Sequence, residues 1–220
     1  MTLTLAMDAA AGPGSIAVLR DAELLASRDV VMRNETEERF FPAVLDALAE
    51  ARCTLAQLER LIVGAGPGSF TALRVVGATA KGIAQARGIP IYAVPSLSLI
   101  VAGDAATARE GTRWLATLDA LRGERYAALV VVGAEGAILR VEQLGLVPAA
   151  EVAVRAAELE ALPIGPDEAH VAVPHVRGVV RCLALALAGG AVPLASWEPM
   201  YGRLAEAQVK WEAAHGRSLG

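Results

Sequence analysis

Leu61–Ala86 reads LIVGAGPGSFTALRVVGATAKGIAQA, passing from an apolar strand through a glycine turn into a helix of small side chains. That order sets free backbone N–H groups at a helix start just beyond a strand, the layout in which anions are held. The phosphate-cradling P-loop needs a lysine directly after its last glycine, and here none follows until Lys81. The dinucleotide spacing Gly-x-Gly-x-x-Gly fails as well, because Ser69 stands where the third glycine belongs. Pro67 removes one more amide that would point at an anion. Two readings of Gly66, Gly68 and Ser69 follow. They contact a phosphate group, with Ser69 capping the helix, or they form a turn kept for architecture.

The helix predicted over Phe70–Ala86 carries Gly77, Ala78, Ala80, Gly82 and Ala84. Each glycine inside a helix costs about 1 kcal/mol relative to alanine, so a close neighbour must offset it. That neighbour is the protein's own sheet or the helix of a partner.

Before this unit, LTLAMDAA and SIAVLRD read as a hairpin around Ala10–Gly14, and ELLASRDVVM as a third strand. NETEERFFPAVLDALAEARC turns helical, with Phe41, Val44, Leu45 and Leu48 on one face and Asn34 or Thr36 placed to cap it. A strand and a helix in IPIYAVPSLSLIVAGDAA close an order β-β-β-α-β-α-β-α. After Thr107–Gly111 the opening theme recurs. A strand ends in Asp119, a turn follows at Arg122–Gly123, and two more strands come after it, as strand and turn follow Asp8. Helices are expected near Ala149–Leu159 and Val176–Leu187. The division is then residues 1–106 and 107–200 as two lobes of one topology, with a tail helix over 201–220.

Composition narrows the function. With 55 % hydrophobic residues among 220, the chain can bury a large core, and a net charge of −4 speaks against an independent grip on nucleic acid. No apolar run reaches the ~18 residues that span a bilayer. The N-terminal stretch holds Asp8 and lacks a basic start, so no signal peptide is expected. Cys53 and Cys182 are isolated, which fits a reduced, cytoplasmic setting.

Asp8 and Asp119 each end a strand, the place where phosphotransferases hold a metal or orient a water. Aspartates there also cap the turn that follows. His170, His175 and His215 match no metal spacing, and Gly66-Pro67-Gly68-Ser69-Phe70 is not a nucleophile elbow. No catalytic residue, cofactor or metal is therefore expected. Asp8, Gly66, Gly68 and Ser69 are the candidates should a nucleotide bind.

GAGPGSFTALRVVGATAKGIA closely resembles the Gly-x-Gly-Pro-Gly-Ser-Phe-Thr-Gly-Leu-Arg signature and following helix of the bacterial TsaB (YeaZ) family. LAMDAA, LDALRGERYAAL and EPMYGRLAEAQVKW are similar to that family's opening strand, second strand pair and tail. The resemblance implies an actin-like (ASKHA) α/β fold of two RNase-H-like lobes. It further implies a non-catalytic subunit in forming threonylcarbamoyladenosine beside the anticodon of tRNAs that read codons starting with A. The implied partner is TsaD in a heterodimer, with TsaE joining through that complex and tRNA reached only through it. For the chain alone the sequence leaves homodimer and monomer open, an apolar helix face being what a second copy would cover. Pairing is implied to be helix against helix, using the helix around Phe40–Arg52 and the one after the glycine turn. Helical spacing offers Phe41, Leu45 and Leu48 of the first and Arg74, Gly77, Ala78 and Lys81 of the second as the contact residues. Ala9, Ala72 and Val76 depart from the pattern. The first two weaken a nucleotide site, and the runner-up, an autonomous actin-like phosphotransferase or ATPase, would need one.

Overall fold

The computed structural model describes residues 1–32, 39–202 and 215. Strands β1 (Leu3–Asp8), β2 (Gly14–Arg20) and β3 (Glu23–Val30) form an antiparallel meander. The chain continues through α1 (Phe40–Glu50), where Pro42 sits in the first turn and its missing N–H breaks no helical bond. Caps at Asn34 or Thr36 fall outside the described residues. Next come β4 (Arg60–Gly64), α2 (Phe70–Arg87), β5 (Ile91–Val94) and α3 (Ser96–Gly103), so the first half has the element order read from its periodicity. Gly88, at φ 65°, takes the left-handed conformation that ends α2.

The second half repeats the path. Strands β6 (Arg113–Asp119), β7 (Glu124–Val132) and β8 (Ile138–Pro148) form another meander, and α4 (Val152–Glu158) crosses back. Strands β9 (Leu162–Gly165) and β10 (His170–Val171) then add parallel to β6. A 3₁₀ stretch, Val176–Cys182, leads into α5 (Leu183–Ala188). The two five-stranded sheets run β3-β2-β1-β4-β5 and β8-β7-β6-β9-β10, the same order twice. This is the two-lobed actin-like fold. Strands β9 and β10 are too short, at 4 and 2 residues, to show a period in sequence.

All eight residues of α3 are buried, because this helix lies between the lobes. Ala6 pairs with Ala17 in one sheet and Ala116 with Ala128 in the other, and all four belong to the core cluster that contains α3. Small side chains at matching places on both sheets let α3 pack closely on the second sheet and the Val176–Cys182 stretch on the first. The opposite face of the first sheet packs on α1 and α2 through Leu5, Met7, Val44 and Val76.

The end of the second half returns to the first. Val176 N–H donates to Ser15 Oγ at 3.1 Å, and His175 Nε2 lies 3.1 Å from Asp29 Oδ1. The Arg177 N–H donates to His175 Nδ1 at 3.0 Å, so the ring's proton sits on Nε2 and the imidazole is neutral. Burial, reinforced by the Arg177 charge and opposed by Asp29, holds its pKa below the ordinary 6.5. The unfolded ring takes up a proton first as pH falls, so stability is full above about pH 6.5 and is lost below it. The melting temperature is expected to fall between about pH 7.5 and 5.5, and His175→Gln to flatten that slope. Equal slopes in both proteins would contradict this.

Candidate functional site

Asp8 ends β1 with 1 % of its surface exposed. Its Oδ1 accepts from Ser96 Oγ at 2.5 Å, and its Oδ2 accepts from the Ala10 N–H at 3.0 Å. Ser96 Oγ in turn accepts the Gly66 N–H at 2.9 Å. Hydroxyl and carboxylate thus bridge the start of α3, the end of β1 and the glycine turn. Burial pushes the Asp8 carboxyl above the usual range, while the Ser96 and Ala10 hydrogen bonds pull the other way. A hydroxyl at the start of a helix 88 residues away leaves no periodic trace, and sequence reading missed Ser96.

The glycines of the turn face their own chain. A Cβ on Gly66 would collide with the Met200 carbonyl oxygen, and one on Gly68 with the backbone of Ala10. Ser69 occupies the N-cap position of α2 but makes no side-chain cap bond, contrary to the sequence expectation. The helix start is tied instead by the Ser69 N–H, which donates to Ala10 O at 2.7 Å. That backbone bond sets the turn against the loop after Asp8 without using the hydroxyl.

The second lobe carries an aspartate at the matching strand end. Asp119 Oδ1 accepts the Leu121 N–H at 3.1 Å, just as Asp8 accepts the N–H two residues on. Asp119 is exposed and pairs with Arg125 at 2.7 Å. Both strand-end aspartates therefore stabilise the turn that follows.

The helices proposed for a partner present a mixed surface. On α1 the buried residues are Phe40, Val44, Ala47 and Leu48, so Leu48 belongs to the interior at 2 % exposure. Phe41 and Leu45, one turn apart, are 38 % and 43 % exposed. On α2, Arg74 and Ala78 are exposed and Lys81 is partly so. Arg74 lies 5.1 Å above the Phe70 ring. Gly77 is buried beneath Pro199 and Trp197 of the same chain, whereas nothing approaches Gly82. The structure thus exposes Phe41 and Leu45 on α1 and Arg74, Ala78 and Lys81 wholly or partly on α2, two helices packed on the same face of the first sheet, and keeps Leu48 and Gly77 inside.

Among the described residues no group of three His, Cys, Asp or Glu is arranged to hold a metal ion, and no helix is long and apolar enough to cross a membrane. The Cys182 thiol, buried beside Ser98, is pushed up to about 11 by desolvation, which disfavours the thiolate that nucleophilic or metal chemistry needs.

With this geometry in view, the comparisons are specific. The family model "TsaD: tRNA N6-adenosine threonylcarbamoyltransferase" matches residues 31–164. The tRNA threonylcarbamoyladenosine biosynthesis protein TsaB of Escherichia coli is 35 % identical over 125 residues, covering 56 % of this chain and 53 % of that protein. An uncharacterized protein of Mycobacterium tuberculosis is 40 % identical over 102 residues, 46 % of this chain and 48 % of its own length. The chain thus spans about half the length of these curated relatives. The solved YeaZ from Pseudomonas aeruginosa superposes with a TM-score of 0.74 at 26 % identity, covering 91 % of this chain and 100 % of the other.

Proposed function

This chain belongs to the TsaD family and, within it, to the TsaB (YeaZ) proteins, and from that premise we propose that it is a non-catalytic subunit in tRNA threonylcarbamoyladenosine formation. It binds and supports TsaD, TsaE joins through that pair, and tRNA is reached through the assembly in the cytoplasm. The lobes are residues 1–106 and 107–200. Phe41, Leu45, Arg74, Ala78 and Lys81 form the surface that meets TsaD, the first two supplying apolar area and Ala78 a shallow place for a second helix.

The observation that supports this reading most is the state of Asp8. A carboxylate serving phosphate or metal chemistry must reach its ligand, and this one is buried with both oxygens accepting protein hydrogen bonds. The glycine turn reinforces the point, since its close approaches are to Ala10 and Met200.

Co-purification with the TsaD of the same organism tests the partner. The isolated chain is expected to hydrolyse ATP no faster than a blank. Robust turnover that disappears in Asp8→Ala would overturn the non-catalytic reading in favour of a phosphotransferase or ATPase.

A further inference from the structure

In sheets with parallel strands, the crevice beyond the strands' C-terminal ends is where ligands bind. Here β1 and β4 end side by side at Asp8 and Gly64, facing the second lobe, and the chain itself enters the space beyond them. Val192 N–H donates to Ile91 O at 2.8 Å, laying the segment along β5, the edge of the first sheet. Trp197 and Pro199 then cover Gly77 of α2. The Met200 N–H donates to Ala65 O at 2.7 Å, and the Met200 carbonyl oxygen lies over Gly66. The Tyr201 ring packs 4.5 Å from that of Phe70, at the start of α2. Its carbonyl accepts from the Tyr126 hydroxyl, in β7 of the other lobe, at 3.3 Å. Gly202, at φ 75°, lies against the Tyr126 ring so closely that a Cβ would overlap it.

We infer that Trp197–Gly202 is an internal strap that fills the interlobe crevice as a bound ligand would and holds the two lobes in one closed arrangement. It contacts both lobes within three residues: Ala65 through Met200, and Tyr126 through Tyr201 and Gly202. Both hydrogen bonds use strap backbone, so the seat does not depend on most strap side chains. The exceptions are the Trp197 and Pro199 side chains over Gly77, the Tyr201 ring and the absent side chain at Gly202. An atom added at Gly202 has no room between the backbone and the phenol, whereas the same change on an open turn meets nothing. Opening the crevice therefore requires the strap to leave.

Gly202→Ala tests this in the full chain. Gly111→Ala is the control, because Gly111 is also left-handed, at φ 77°, but has nothing within 4 Å of an added Cβ. Hydrogen exchange is the readout. In Gly202→Ala the Met200 amide, the first turn of α2 and the β7 amides around Tyr126 are expected to exchange about tenfold faster or more, and in Gly111→Ala at wild-type rates. Exposure of the Met200 amide with unchanged exchange in α2 and β7 would show a segment that only lies on the surface and would overturn the inference. So would a Met200 amide already unprotected in the wild type. Should Gly202→Ala not fold, Tyr201→Ala and Tyr126→Phe probe the same seat without adding atoms. Wild-type exchange in both would equally sink it.

Discussion

Replacing Ala78 with Glu is expected to leave the melting temperature of the isolated chain unchanged while lowering its affinity for TsaD roughly a hundredfold or more. Ala78 is on the solvent side of α2, between Arg74 one turn before and Lys81 one turn after. In the free chain a carboxylate there meets two cations at helical spacing and water on all other sides, a change worth about 0.5 kcal/mol or less. In the complex the same side chain stands where a second helix must come within about 8–10 Å of the α2 axis. It then either buries its charge or forces the helices apart. Either outcome costs several kcal/mol, and about 1.4 kcal/mol is each tenfold in affinity. Leu45→Ser on α1 is the companion variant, removing apolar area from the neighbouring exposed pair without touching the core. Thermal melting and a quantitative pull-down decide the matter together. Wild-type binding by Ala78→Glu removes this face from the interface, and the proposed surface with it.

Arg181→Ala is expected to give the largest loss of stability. Arg181 Nη1 lies 2.9 Å from Val101 O, 3.1 Å from Ala102 O, 3.0 Å from Asp104 O and 3.0 Å from Thr107 Oγ1, and its Nε donates to Gly136 O at 2.6 Å. Val101 and Ala102 are in the last turn of α3, where carbonyls have no partner within the helix and the dipole is negative. One guanidinium thus closes the end of the helix between the lobes and ties it to the turn before β8. Its buried Nη2 has no partner among the described residues, which subtracts from the total. Truncation removes the side-chain donor of the Ala102 and Gly136 carbonyls, while Val101 O and Asp104 O keep bonds from Thr107, a loss of about 3–5 kcal/mol, or roughly 10 °C in a chain of this size. Lysine restores little, since an ammonium cannot reach the α3 end and Gly136 with a fixed fork. Arg155→Ala, which breaks an exposed pair with Glu158, is the matched surface control and is expected to cost less than about 1 kcal/mol. Similar melting of Arg181→Ala and Arg155→Ala would refute the assignment.

Much of the architecture is local, and local features are legible in the chain. The helix over Phe70–Arg87 follows from small residues after a glycine turn. The two meanders follow from alternating apolar runs that each lead out of a strand ending in aspartate. The aspartates show the limit. Asp8 and Asp119 have the same local pattern and make the same turn bond, yet one is buried under Ser96 and the other pairs with Arg125 in water. Helical periodicity likewise put Phe41, Val44, Leu45 and Leu48 on one face, because a period gives spacing and not the angle at which the helix sits on its sheet. Packing rotated the stripe so that Phe40 and Leu48 went inside and Phe41 and Leu45 stayed out.

The chain by itself determined a duplicated α/β fold and a glycine turn without the lysine or third glycine of a phosphate loop. Only the tertiary structure decided why those glycines are there. Gly66 is small because Met200 lies over it, and Gly77 because Pro199 does, contacts spanning more than a hundred residues. Close approach between distant segments depends on how two lobes and a returning strap are assembled in space. No window along the chain contains that, because the energy that selects a glycine there comes from an atom the neighbouring residues do not specify.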